Sequence, residues 1–139
     1  MEKKRERRGF TLVELMVVIL IVGILAAVAV PILRGKINQA KWSEAAATAG
    51  AIRSAVRAEF AEDPTTVGGW TNQALDATTQ AILGFQSGDL TGRYFDAAQF
   101  TIASVDSNGH ATITVASPGG DAPGSGQLDN TGWAYTPPP

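Results

Sequence analysis

Glu14 is the one charged side chain in a 21-residue apolar stretch that runs from residue 10 to residue 30. The only other breaks in this apolar pattern are Thr11 and Gly23. A carboxylate near the middle of a bilayer costs about 2.5–3.5 kcal/mol, and the cost is smaller near the edge, where Glu14 lies. A charge retained in a segment of membrane length predicts a function that needs it.

A cut after Gly9 would supply this carboxylate with a partner. Phe10 would then carry a free ammonium, and Glu14, four residues later, would lie one helical turn away on the same face. An ammonium at a helix N-terminus opposes the helix dipole, and a carboxylate in the first turn offsets that effect. The two charges would pair within one chain or between neighbouring chains.

The other reactive residues do not form a catalytic set. The chain has no cysteine and a single histidine, His110, beside a predicted turn, where a solvated side chain is the default. With one histidine and no cysteine, a zinc site is very unfavourable. We find no nucleophile–base pair, and the Gly-Ser-Gly run at 124–126 lacks the strand-to-helix setting of a phosphate loop. We therefore expect no enzymatic activity and no resident cofactor.

One weak metal candidate remains near the C-terminus. Asp121, Asp129 and Asn130 flank a glycine-rich loop, and calcium prefers several oxygen ligands of this kind. Their spacing matches no defined calcium motif, so an ordinary polar loop is the competing interpretation.

Charge is distributed unevenly along the chain. The formal net charge is −2, but residues 2–8 hold five of the 11 basic and two of the 13 acidic residues. The rest therefore keeps six basic and 11 acidic residues, a net charge of −5. This balance argues against a specific nucleic-acid partner. A basic run before an apolar segment predicts that the N-terminus stays cytoplasmic.

The apolar stretch at 10–30 has the length of a membrane span. As a helix it extends about 30 Å, the thickness of a hydrocarbon core. It is too long for the core of a signal peptide, and no clear signal-peptidase site follows it. A plain single-span anchor would explain its apolar character and its flanking charge, but it would not explain Glu14.

A second helical half follows Pro31. Six residues recur at intervals of three or four and form one apolar stripe: Trp42, Ala45, Ala49, Ile52, Val56 and Phe60. This pattern predicts one helix over residues 10–61, which Pro64 ends. Pro31 would bend or locally melt it, since a proline removes a hydrogen bond from a helix interior.

The remainder, residues 63–139, predicts a small antiparallel sheet. Alternation at 99–106 and 110–117, joined by a segment containing Asn108 and Gly109, predicts a β-hairpin. It places Phe100, Ile102 and Ser104 on one face of the first strand. A third strand is predicted over 131–136, with Trp133 and Tyr135 on one face.

The connections are predicted from turn residues. Residues 63–70 and 117–130 are expected to be loops, and 71–83 a short helix capped by Thr71. Residues 84–95 are expected to form a turn-rich connection whose core anchors are Phe85, Leu90, Tyr94 and Phe95.

The run GFTLVELMVVILIVGILAAVAVP, residues 9–31, resembles the N-terminus of type IV pilins and of type II secretion pseudopilins. The resemblance implies that a membrane aspartyl peptidase cuts between Gly9 and Phe10 and N-methylates Phe10. It also implies that Glu14 is needed for assembly, where it neutralises the terminal amine of an adjacent subunit. Pro31 matches the helix-breaking proline, with Gly23 as a flexible point before it.

The resemblance further implies an α+β, pilin-like fold: a long N-terminal helix, membrane-spanning in its first half, packed by a small antiparallel sheet. The expected layout is a removed basic leader at 1–9, a membrane and filament-core helix at 10–30, an amphipathic half at 31–62, and a globular region at 63–139. The expected partners are further copies in a helical filament, the prepilin peptidase and methyltransferase, and an inner-membrane assembly platform. The precursor would be a single-pass inner-membrane protein, and its product a surface pilus or periplasmic pseudopilus.

Three functions remain open at this point. A pilus subunit is favoured narrowly over a major pseudopilin. The resemblance implies a calcium in the C-terminal loop of such pseudopilins and a disulfide there in many pilins; this chain cannot form a disulfide, which leans slightly toward a pseudopilin. Its C-terminal region, however, departs from the aspartate- and glycine-rich ending expected of a pseudopilin, and this favours the pilus subunit. The third candidate is a membrane-anchored binding module, which predicts neither processing nor a polymer.

Overall fold

The computed structural model describes residues 9–120 and 122–138. The chain forms two compact units, of which the first ends at Lys36 and the second begins at Ile37. Helix α1, Leu12–Glu62, contributes to both and is continuous through Gly23 and Pro31. The long helix is therefore confirmed, and neither residue interrupts it. It begins two residues later than predicted, after Thr11.

The first unit leaves its apolar side chains uncovered. Every large apolar residue from Phe10 to Leu33 is exposed, with exposed fractions between 46% and 82%. This part of α1 is long and apolar enough to cross a membrane. The described residues of the chain supply no core for it, so its apolar surface needs lipid or other protein.

The second unit has its core along the predicted stripe of α1. Trp42, Ala45, Ala49, Ile52 and Val56 are buried, and Phe60 is half-buried against them. The 3.6-residue period of an α-helix turns these positions toward one side, where the sheet covers them. The predicted stripe is therefore the face of α1 that the core buries.

The sheet has five strands, two more than predicted. They are β1 (Thr71–Ala74), β2 (Phe100–Val105), β3 (Ala111–Val115), β4 (Ser125–Asp129) and β5 (Gly132–Thr136). Their order in the sheet is the order in the chain, and every neighbouring pair is antiparallel. The hairpin β2–β3 and the last strand β5 are confirmed, and the fold class is as predicted.

The β2–β3 hairpin differs from its prediction in face and in turn. A β-bulge between Ile102 and Ser104 shifts the register, so Val105 is buried and Ser104 is exposed. The predicted face with Ser104 is therefore wrong beyond Ile102, because a bulge inserts one unpaired residue. In the turn only Gly109 has a positive φ, 78°, which is typical of a longer loop rather than a two-residue Asn-Gly turn.

The connections hold more regular structure than predicted. The supposed loop at 63–70 contains a one-turn helix, α2 (Pro64–Val67), capped by Asp63. The predicted helix at 71–83 is wrong in its first part, which is β1. Helix α3 is only Ala77–Ile82, and its N-cap is Asp76, not Thr71. The supposed loop at 117–130 contains β4.

Hydrogen bonds to two acceptors, Glu44 Oε1 and the Pro123 carbonyl, hold the loops on the core. Glu44, on α1, accepts hydrogen bonds through Oε1 from the backbone N–H groups of Tyr94 and Phe95, at 2.9 and 3.1 Å. Trp42 Nε1 and the Tyr135 hydroxyl both donate to the carbonyl of Pro123, at 3.1 and 3.0 Å. The four predicted anchors of segment 84–95 pack on the core: Leu90 and Phe95 are buried, and Phe85 and Tyr94 are half-buried.

Candidate processing and assembly site

The first turn of α1 is closed by three reciprocal hydrogen bonds between Thr11 and Glu14. The backbone N–H and the hydroxyl of Thr11 donate to Glu14 Oε2, at 2.9 and 3.0 Å. The backbone N–H of Glu14 lies 3.2 Å from Thr11 Oγ1 and donates to it. This is a capping box, which satisfies N–H groups that a helix start leaves without partners.

The capping box gives Glu14 a role before any processing. The carboxylate sits in the first turn, where the positive end of the helix dipole favours it. Its hydrogen bonds go to Thr11, and the Phe10 nitrogen of the uncut chain is a peptide amide without charge. In this state the carboxylate is satisfied locally, so the pairing predicted with Phe10 requires cleavage.

Sequence reasoning missed Thr11, although the signal was present. The run Thr-Leu-Val-Glu at 11–14 has the spacing of a capping box directly before an apolar run. Read this way, it also predicts that the helix starts at Leu12, as observed.

The Gly9–Phe10 peptide bond lies outside the helix and is exposed. Neither residue is in regular structure, and the side chain of Phe10 is 82% exposed. A Cβ added to Gly9 would meet no atom of the described chain within 4 Å. Packing within the chain therefore does not explain a glycine here, whereas an accessible bond outside regular structure suits an external protease.

Gly23 is also unexplained within a single chain. A glycine in a helix interior costs about 1 kcal/mol relative to alanine. Nothing in the described chain lies within 4 Å of a Cβ built on it. The space that this glycine leaves open is thus available to something outside the chain.

The calcium candidates are not brought together as a site by the described residues. Asp121 lies outside those residues. Asp129 accepts hydrogen bonds from the hydroxyl and the backbone N–H of Thr131, at 2.6 and 2.8 Å, and these bonds lower the pKa of its carboxyl. Asn130 lines a cavity together with Arg53 and His110. Within the part of the chain that is described, no three His, Cys, Asp or Glu side chains form a metal-binding group. Calcium binding stays a prediction.

Comparison with known proteins gives matches over the N-terminus and over most of the chain. The family profile of the prokaryotic N-terminal methylation motif matches residues 4–30. The fimbrial protein EcpC of Eikenella corrodens is 34% identical over 116 residues, which cover 84% of this chain and 67% of that protein. A fimbrial protein of Neisseria meningitidis is 36% identical over 111 residues, which cover 80% of this chain and 56% of that one.

A secretion protein is also similar, over a shorter stretch. The type II secretion system core protein G of Pseudomonas aeruginosa is 44% identical over 54 residues, 39% of this chain and 38% of its own length. No solved structure matches the chain. With the motif at residues 4–30, the long helix carrying a five-stranded sheet, and fimbrial relatives along most of its length, the chain belongs to the family of type IV pilins and type II secretion pseudopilins.

Proposed function

We propose that the chain is the repeating structural subunit of a type IV pilus-like filament. The observation that carries the proposal is the uncovered apolar half of α1. From Phe10 to Leu33 every large apolar side chain is exposed, while the second unit has a complete core of its own. Lipid covers such a helix in a precursor, and the same helices of other copies cover it in a filament. The role is structural rather than enzymatic.

The precursor is cut between Gly9 and Phe10. The bond lies before the capped start of the helix, in an exposed segment that a membrane peptidase can reach. The basic run at residues 2–8 keeps this end cytoplasmic, which leaves the second unit on the far side of the inner membrane. The same enzyme then methylates the new Phe10 amine.

Glu14 pairs with this amine during assembly. After cleavage the Phe10 ammonium and the Glu14 carboxylate are opposite charges in an apolar setting, where each is costly without a partner. A carboxylate that also caps its own helix is held in place for an incoming amine.

A surface pilus is favoured over a secretion pseudopilus. The fimbrial relatives match over 111 and 116 residues, more than twice the 51 residues of α1, whereas the secretion protein matches over 54 residues, about the length of α1 alone. The pseudopilus therefore remains the alternative. A tethered binding module would leave Gly9 and the cleavage motif without a use.

Two substitutions at Glu14 separate its charge from its cap. Glu14→Gln keeps an oxygen that can close the capping box but removes the charge, whereas Glu14→Ala removes both. We expect both variants to be processed at Gly9 and neither to yield filaments, because the ammonium has lost its counter-charge. Sheared filament yield and the mass of the membrane-bound chain measure the two steps.

Glu62→Gln is the matched control, since Glu62 is an exposed glutamate at the other end of the same helix. It should assemble normally. Wild-type filament yield from Glu14→Gln would refute the charge pairing and leave only the capping role.

A further inference from the structure

A polar cavity of about 340 Å³ lies in the second unit, away from the processing and assembly site. Its lining comes from α1, from the β2–β3 turn and from the β4–β5 turn: Arg53, Ser54, Arg57, Gly109, His110 and Asn130. Nothing in the assembly of a filament through α1 requires these residues to meet, so the cavity calls for its own explanation.

Arg53 is held in place at the wall of this cavity. Its Nη1 donates to the backbone carbonyl of Asp129 at 2.8 Å, and the side chain is half-buried. A guanidinium has five N–H donors in a fixed plane. No second acceptor contacts Arg53 among the described residues, so the group is oriented while most of its donors remain available.

Arg57 adds a second positive charge one helical turn later. Like charges four residues apart on a helix destabilise it unless something offsets them. In the part of the chain that is described, Arg57 makes no hydrogen bond or ion pair. The two guanidinium groups therefore share one face of α1, and neither forms an ion pair within the described residues.

His110 completes the basic lining, beside a carboxylate, Asp106, that is engaged in its own turn. Its Nδ1 is buried and lies 3.4 Å from Asp106 Oδ2, close enough for an ion pair when the ring is protonated but not aligned as a hydrogen bond. Asp106 Oδ1 accepts from the backbone N–H groups of Asn108 and His110, both at 2.9 Å. That carboxylate stabilises its own turn, and among the described residues it forms no ion pair with either arginine.

We propose that this cavity binds one small, doubly charged oxyanion of the phosphate type. Two guanidinium groups match a dianion in charge, and their planar forks suit its oxygens. His110 and Asn130 supply further donors from the two turns. The charge of two arginines matches one such group, and the acidic balance of the remaining chain disfavours a nucleic-acid polymer as its source.

The test is a titration of the full-length chain in detergent micelles with inorganic phosphate, at neutral pH and constant ionic strength. His110 is the only histidine, so its imidazole C–H signals in the NMR spectrum report on this cavity alone. We expect a saturable shift with one phosphate per chain. Arg57→Gln, at an exposed residue without described partners, should weaken binding by about tenfold or more.

Arg93→Gln is the matched control, because Arg93 is an exposed arginine of the same unit that lies over the Tyr94 ring instead. It should bind phosphate as the wild type does, and acetate should bind the wild type much more weakly than phosphate. The proposal is overturned if the His110 signals do not saturate, or if Arg57→Gln and wild type bind equally. It is also overturned if acetate binds as tightly as phosphate, which would mean that a single carboxylate satisfies the cavity.

Discussion

At the scale of single residues, the N-terminal site depends on two neighbours with different tasks. Glu14 carries the charge that we propose assembly uses, and Thr11 holds that charge in the first turn of α1 through three hydrogen bonds. The charged residue stands out in the sequence because its surroundings are apolar. Its polar partner, Thr11, is less conspicuous. A threonine at the edge of an apolar run carries little energetic cost, so nothing in the sequence singles it out.

Thr11→Ala should loosen the first turn of α1 without unfolding the second unit. Loss of an N-cap costs about 1 kcal/mol, so the backbone amide of Glu14 should exchange its hydrogen roughly fivefold faster. Thr11→Ser retains the cap and is the control. Hydrogen exchange of the chain in micelles measures the effect, and unchanged protection in Thr11→Ala would show that the capping box does not hold the turn.

Acid should destabilise the second unit only below the ordinary carboxyl range. Hydrogen bonds from the backbone N–H groups of His110 and then Asn108 hold the pKa of Asp106 below 3.8. The backbone N–H of Thr79 lowers the pKa of Asp76, and the hydroxyls of Thr65 and Thr131 lower those of Asp63 and Asp129. A lowered pKa in the folded state gives stability that is present above the unfolded value and is lost as pH falls through the folded value.

The fluorescence of the three tryptophans follows this transition, since Trp42, Trp70 and Trp133 all lie in the second unit. The urea midpoint should stay level from pH 7 to about 5 and should fall once the pH drops below 3.8. Asp106→Asn should lose part of this acid sensitivity. A midpoint that rises as the pH falls below 3.8 would contradict the assignment.

At the scale of elements, the sequence predicted the helices and strands whose apolar residues recur with a regular period. The long helix, the β2–β3 hairpin and β5 all carry such a pattern. Strand β1 does not, because all four of its residues are polar or small and its edge position buries little. Strand β4 was missed because Gly126 weakens the strand pattern in the sequence. This glycine is needed because the rings of Trp133 and Trp42 pack against it, a contact that only the tertiary structure shows. The cavity of Arg53 and His110 was missed for the same reason, since tertiary structure alone brings its lining together.

Gly126→Ala should destabilise the second unit by about 1–3 kcal/mol, the usual cost of overpacking a core. The added Cβ would collide with the ring of Trp133 and lie 2.9 Å from Trp42, which is itself only 1% exposed. Gly120→Ala is the control, because nothing in the described chain lies within 4 Å of a Cβ there. Urea unfolding followed by tryptophan fluorescence compares them, and equal midpoints would mean that β4 can move away from the aromatic cluster.

At the scale of the whole molecule, the two units have opposite requirements. The second unit buries its apolar residues within the chain, while the first exposes nearly all of its own. A soluble monomer cannot satisfy the first unit, because the exposed apolar surface spans more than twenty residues of helix. We therefore propose that this helix is covered first by lipid and, after processing, by other copies of the chain.

The most direct test is the intact mass and N-terminal sequence of the protein in filaments sheared from cells that produce it. We expect a chain that begins at N-methylated Phe10, present in the extracellular filament fraction. The same processed chain confined to the membrane fraction would contradict the surface pilus and favour the pseudopilus. A chain that still carries the residues before Phe10, found only in the membrane, would contradict the filament account altogether.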